Sequence, residues 1–300
     1  MAKLKQNSIQ TADFIEYLNS YSDFSFELSV LKKLREYGIE CEHGGHYEDP
    51  VTSKSREFDI RATKSINKYR VRMPIECKNI RENFPILISC VPRHLDEAYH
   101  QVALVNEPSS ERNGIPINTI HQSRAHIYSI REQYSLYKIS EPVGKSTVQI
   151  GRGIDNGILT NDSELYEKWG QCLSSANDLV RRIYWDGSEN DDDYDSYSSA
   201  IIPFVVVPNE RLWIVTYDED GNRIGDPEMT NRVSCFINKD YRMGNKFAGA
   251  NMLVSHVEIV TFNGLKEFIE KYLTSELNMK EIFPQQGILD EMLRIIKKSH

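Results

Sequence analysis

Cysteine is scarce in this chain of 300 residues: Cys41, Cys77, Cys90, Cys172 and Cys235 stand far apart, and no CxxC pair occurs. That scatter excludes a zinc ribbon and a disulfide framework, so reduced and mostly buried thiols are expected. Long apolar runs are missing as well. The strongest, Ile201 to Pro208, is far too short to span a bilayer, and the opening MAKLKQNSIQTADF has lysines without an apolar segment behind them. A cytoplasmic location is the expectation. Positive charge is in deficit, with a formal net charge of −8, whereas proteins that hold phosphates gain affinity from Lys and Arg releasing counterions. Several catalytic and binding signatures are absent. There is no GxSxG for a hydrolase triad, and Gly144-Lys145-Ser146-Thr147 has Ile139 where a phosphate-cradling P-loop needs its first glycine. Asp218 to Asn222 lacks the spacing and distal Glu of a calcium loop and reads as a turn. His43 and His46 have HxxH spacing but no second ligand pair, so they read as structural or solvent-facing.

What is present is an ordinary globular composition, 40% apolar and 27% charged, long enough for a substantial core. Residues 24 to 37 (FSFELSVLKKLREY) carry apolar side chains at 28, 31 and 34 with Val30 beside them, and Gly38 follows at the C-cap position, which predicts an amphipathic helix. Short β-like segments come next, at 39 to 47, 57 to 63 and 69 to 77. The stretch from Phe84 to Val105 joins an apolar segment, PILISCVP, to a predicted helix, and 106 to 160 reads as a long insertion or recognition element opening on an Asn-, Ser-, Pro- and Gly-rich loop. Ser163 to Arg182 is a second amphipathic helix, striped by Leu165, Trp169, Cys172, Leu173, Ala176, Leu179 and Val180. Strands are expected at 201 to 207, 212 to 217, 234 to 238 and 256 to 261, and helices at 264 to 272 and 285 to 298. No repeat or linker divides the chain. The expectation is one α/β domain over 1–300: a core motif region at 20–105, further core elements at 161–275, and a C-terminal helix at 285–298.

The chemistry concentrates in two of these strands. Phe58, Ile60 and Ala62 alternate with Glu57, Asp59, Arg61 and Thr63, so a period of two assigns Asp59 to the polar face. Val71, Met73, Ile75 and Cys77 likewise alternate with Arg72, Glu76 and Lys78. Paired as a hairpin with both apolar faces on one side, the strands bring Asp59, Glu76 and Lys78 to one patch. Pro74 within the second strand marks a bulge or an edge. Two adjacent carboxylates offer hard oxygen ligands to Mg²⁺, and a lysine beside them can orient or deprotonate a water for attack on a phosphodiester. Glu27 lies on the apolar stripe of the first helix, where a carboxylate needs a partner such as a metal. The crowding of Lys64, Lys68, Arg70, Arg72, Lys78 and Arg81, set against the acidic Glu189 to Asp195, suggests a local basic surface despite the negative total.

Asp59, sixteen intervening residues and then Glu76-Cys77-Lys78 resemble the D…(D/E)XK signature of the PD-(D/E)XK, restriction-endonuclease-like nucleases, with Phe58 where the name-giving proline would stand. The resemblance implies a restriction-endonuclease-like α/β core, a mixed β-sheet flanked by helices, with additional elements after the catalytic motif. It also implies a site: Glu27, Asp59, Glu76 and the main-chain carbonyl of Cys77 around Mg²⁺, with Mn²⁺ as a substitute, Lys78 positioning the attacking water, and Gln171 as a supporting residue from the later helix. The activity implied is metal-dependent endonuclease cleavage of nucleic acid, DNA rather than RNA, in prokaryotic restriction or anti-phage defence. The negative charge adds the expectation that a homodimer partner, another subunit or an activating signal supplies affinity. The alternatives are a catalytically silent nuclease fold serving as a binding or assembly module and a ribonuclease effector with the same core.

Overall fold

The computed structural model describes residues 8–49, 53–106, 111–112, 115–116, 124–161, 163–183, 196–243 and 251–283. Helices α1 (Thr11–Ser20) and α2 (Phe24–Glu36) lead into an antiparallel meander of β1 (Glu40–Glu48), β2 (Ser55–Ile66) and β3 (Tyr69–Cys77). After it come β4 (Ile86–Pro92), β5 (Tyr99–Asn106), the small ribbon of β6 (Glu111–Arg112) and β7 (Ile115–Pro116), β8 (Arg124–Arg131), β9 (Pro142–Arg152) and β10 (Ile158–Asn161). Helix α3 (Ser163–Arg182) precedes β11 (Ser196–Ile201), β12 (Phe204–Val207), β13 (Leu212–Tyr217), β14 (Arg223–Met229), β15 (Arg232–Arg242) and β16 (Asn251–Thr261). Helices α4 (Phe262–Tyr272) and α5 (Glu276–Met279) follow. The architecture is mixed α/β, a large mixed sheet flanked by helices. No described helix is long and apolar enough to cross a membrane.

Fourteen strands join one sheet, and it forks beside β3. Strands β11 and β12 lie end to end and parallel to β3, with Arg72 opposite Ile201 and Ile75 opposite Phe204. Continuing that register puts Pro203 beside Pro74, at the junction between the two pairings. Neither proline has an N–H, so the ladder is interrupted there. Beyond the break, β11 continues to antiparallel β5 and β8, while β12 continues to parallel β16 and then β15, β9, β4, β13 and β14. Pro74 therefore sits in an interior strand, opposite Arg61 of β2, and marks the fork rather than an edge.

Each face of the meander carries a helix layer. Val30, Leu31 and Leu34 of α2 and Leu265, Phe268 and Ile269 of α4 bury against Ile60, Ala62, Val71, Met73 and Ile75. Leu28, expected on that stripe, is exposed. The end of α2 follows from its sequence: Gly38 takes φ +63 and Lys64 Nζ donates to the carbonyls of Tyr37 and Gly38 at 2.9 and 3.2 Å, satisfying orphan acceptors of the last turn. On the opposite face lies α3, with Cys172, Ala176, Leu179 and Val180 buried.

Two expectations for the middle of the chain are corrected. Where a helix was expected before Val105, only a short turn, Leu95–Glu97, precedes strand β5, whose Val102, Ala103, Leu104 and Val105 are all buried. A strand covered on both faces shows no period of two, and a short continuous apolar run does not distinguish helix from strand. The expected insertion at 106 to 160 instead contributes β8, β9 and β10 to the main sheet. The helix expected at 285–298 and the acidic stretch 189–195 lie outside the described residues.

Candidate active site

The pairing of Ile60 with Ile75 and Arg61 with Pro74, carried one step further, sets Asp59 opposite Glu76. Alternation then decides the faces. Ile60 and Ile75 go to the core beneath α2, while Arg61 points to α3 and bonds Ser175 Oγ at 3.0 Å and Asp178 Oδ2 at 3.1 Å. Asp59 Oδ2 accepts the N–H of Cys77 at 2.7 Å, which locks the carboxylate against the strand end. That N–H is the contact Cys77 makes with the acid pair. Glu76 is only 1% exposed, and its Oε1 is buried with no hydrogen-bond partner.

The ammonium found between the two acids belongs to Lys168 of α3, with Nζ 2.8 Å from Asp59 Oδ2 and 3.3 Å from Glu76 Oε2. Lys78 lies just past β3, where its N–H donates to Val206 O at 2.9 Å and its Nζ stands 3.3 Å from Asp23 Oδ2. Asp23 also accepts the N–H of Asn79 at 2.7 Å, so the start of α2 is tied to the end of β3. Glu27, one turn into α2, places Oε2 3.6 Å from Nε2 of His43, a nitrogen that is buried and has no hydrogen bond. His46 stands at the exposed surface beside Glu57.

Burial and mutual repulsion set the electrostatics. Burial pushes Glu76 well above the usual carboxylate range, and Asp59 pushes it further while Lys168 opposes. Burial followed by the charge of Asp59 raises Glu27 to about 7, again against Lys168. Burial acts against the Lys168 charge, yet Glu76 and Asp59 outweigh it and hold the ammonium above its ordinary value. One buried cation thus serves more negative charge than it neutralises.

Among the described residues no three His, Cys, Asp or Glu side chains form a ready-made metal cage. The donors nevertheless suit a hard divalent cation, since Asp59 and Glu76 converge, Glu27 feels the charge of Asp59, and Glu76 Oε1 lacks a donor. Gln171 does not join this group. Its side chain lines a groove of about 860 Å³ with Tyr47, Asp49, Arg56, Tyr166 and Ser174, and its carbonyl accepts from Tyr47 Oη at 3.2 Å.

Lys168 and His43 were missed as site residues. A signal for Lys168 was present: it precedes the buried Cys172 and Ser175 at i+4 and i+7, and a lysine on a buried helix face requires an acidic partner. The basic surface expected from the 64 to 81 stretch is largely consumed internally. Arg70 and Arg72 are buried, Arg70 over the Tyr197 ring and Arg72 bonded to Ser199 Oγ at 3.2 Å, while Lys64 caps α2 and Arg81 stacks on Tyr21. On the α3 face of the β2–β3 hairpin, arginines become packing groups. No protein-family model, curated protein or solved structure gives a significant match to this chain.

Proposed function

We propose that the chain is a Mg²⁺-dependent nuclease that hydrolyses phosphodiester bonds, with DNA as the favoured substrate. The observation that carries this reading is the Asp59–Glu76 pair, set opposite one another across β2 and β3 beneath α3, with Asp59 half-buried, Glu76 buried and one glutamate oxygen lacking any donor. Buried carboxylates so arranged are disfavoured unless a cation joins them, and strongly perturbed carboxyls cluster at functional sites. The architecture is in keeping with that reading: a large mixed sheet flanked by helices, with α2 and α3 on opposite faces of the β2–β3 hairpin.

Asp59, Glu76 and Glu27 would hold the cation. When bound, it supplies charge neutralisation at the phosphate and a more acidic water. The protein's own contribution is positional. The Cys77 N–H fixes Asp59, β3 fixes Glu76, and Lys78 is anchored through its backbone at the strand end where it can orient a water or the phosphate. The consumption of Arg70 and Arg72 in packing, with the net charge of −8, favours an outside source of nucleic-acid affinity such as a second copy or a partner subunit.

One observation favours a second reading. Lys168 already bridges the acids, so the trio could be a structural ion pair fastening α3 to the sheet in a non-cleaving binding module. Cleavage of plasmid DNA and of RNA with Mg²⁺ or Mn²⁺ separates the two. The nuclease reading expects cleavage by wild type that Glu76→Ala and Lys78→Ala both abolish; activity surviving both substitutions would refute it.

A further inference from the structure

Lys168 Nζ holds one oxygen of each acid, Asp59 Oδ2 at 2.8 Å and Glu76 Oε2 at 3.3 Å, and so occupies the gap between the two carboxylates. A hard cation sits at about 2.0–2.6 Å from its ligand oxygens, so a cation bound to these two atoms would meet the ammonium at close range in a site largely removed from water. Like charges so placed cannot both stay. We propose that Lys168 is a displaceable internal counter-ion: it neutralises the acid pair in the metal-free protein, and a divalent cation must evict it to bind. This rests on the metal-site reading above and adds its regulation.

Three features fit a mobile counter-ion better than a fixed one. A lysine is a point charge on a flexible stem, unlike the rigid fork of an arginine that would grip both carboxylates. The Lys168 side chain keeps 17% of its surface exposed, so a way out to solvent exists. The occupant also leaves Glu76 Oε1 without a donor, so the arrangement is incomplete with lysine in place. The displaced ammonium remains on α3 beside the acids, where a substrate phosphate would be a new anionic partner. Phosphate and metal then favour each other's binding, each tightening the other by the same factor. Metal affinity without nucleic acid is correspondingly weak.

Calorimetric titration of the full chain with Mn²⁺, without nucleic acid, tests this. Lys168→Met should bind Mn²⁺ at least tenfold more tightly than wild type, Lys168→Arg should show no gain, and adding Glu76→Gln to Lys168→Met should remove the gain. If Lys168→Met binds no more tightly while Glu76→Gln weakens Mn²⁺ binding to the wild type, the counter-ion proposal falls and the metal site stands. If Mn²⁺ binding ignores Glu76→Gln in every background, the metal-site reading falls and takes the proposal with it. A measurement on wild type alone guards against a variant that fails to fold. Labelling with an amine-reactive reagent, read by mass spectrometry, should rise several-fold at Lys168 when Mn²⁺ is added and stay constant at the exposed Lys32. Unchanged labelling of Lys168 at saturating Mn²⁺ would overturn the proposal.

Discussion

Glu258 on β16 and Glu76 on β3 are both almost wholly buried glutamates of one sheet, yet their surroundings differ. Arg232 grips both oxygens of Glu258, Nε to Oε2 at 2.8 Å and Nη2 to Oε1 at 2.9 Å, and its guanidinium packs over the rings of Phe268 and Tyr272 on α4. The histidines nearby add no charge at neutral pH, since burial depresses His256 to about 2 and His100 to about 4. One acid meets one fork-shaped cation, and every oxygen is used. Glu76 instead shares one ammonium with Asp59, whose charge also acts on Glu27, and keeps an oxygen without a donor. A balanced, bidentate pair is the form a structural bridge takes, while an over-supplied cluster with an orphan atom is the form expected of a site awaiting another charge.

The contrast is broken most strongly at its balanced end. Arg232→Met leaves a buried carboxylate without its cation and should lower unfolding free energy by about 3–5 kcal/mol, as read by urea denaturation. A loss no larger than that of a surface pair would show that Glu258 is not held structurally.

Glu76→Gln should do the reverse. Cleavage should fall by about a hundredfold or more, equal to about 2.7 kcal/mol in the barrier, while the urea midpoint holds, because burial and Asp59 already favour the neutral form of Glu76 that glutamine mimics. A variant destabilised as much as Arg232→Met would mark the acid pair as structural.

The smallest effect concerns pH. Burial and then the charge of Asp59 raise Glu27 from the ordinary 4.5 to about 7 in the fold, so its contribution to stability is complete below about 4.5 and is lost as pH climbs through 7. Glu27→Gln should flatten the fall in stability between pH 5 and pH 8 by roughly 2 kcal/mol. Saturating Mg²⁺ should flatten it in the wild type too, since a bound cation favours the charged carboxylate. An unaltered slope in the variant would remove Glu27 from the coupled group.

The parts of this protein that were legible in sequence are those set by local periodicity. Alternation over 57–63 and 69–77 placed Asp59 and Glu76 on one face, and the helical stripe of residues 24 to 37 placed α2. The spacing of α3 was equally plain, although the residue it sends to the acids is Lys168 rather than Gln171. Lys78 illustrates the limit: it lies one residue beyond the end of β3, where alternation no longer governs, and its ammonium reaches Asp23, the residue before α2. Strand β5 carried no readable period because burial on both faces erases it.

Sequence alone therefore determined which side chains share a strand face, because backbone pleat and helix pitch depend on neighbours a few residues away. Tertiary structure alone decided which charge meets them. Lys168 reaches Asp59 across 109 positions of chain and Glu76 across 92, and Pro203 stands beside Pro74 only because β11 and β12 dock along β3. Such contacts are set by packing two helix layers on a forked sheet, and no local rule of spacing encodes them.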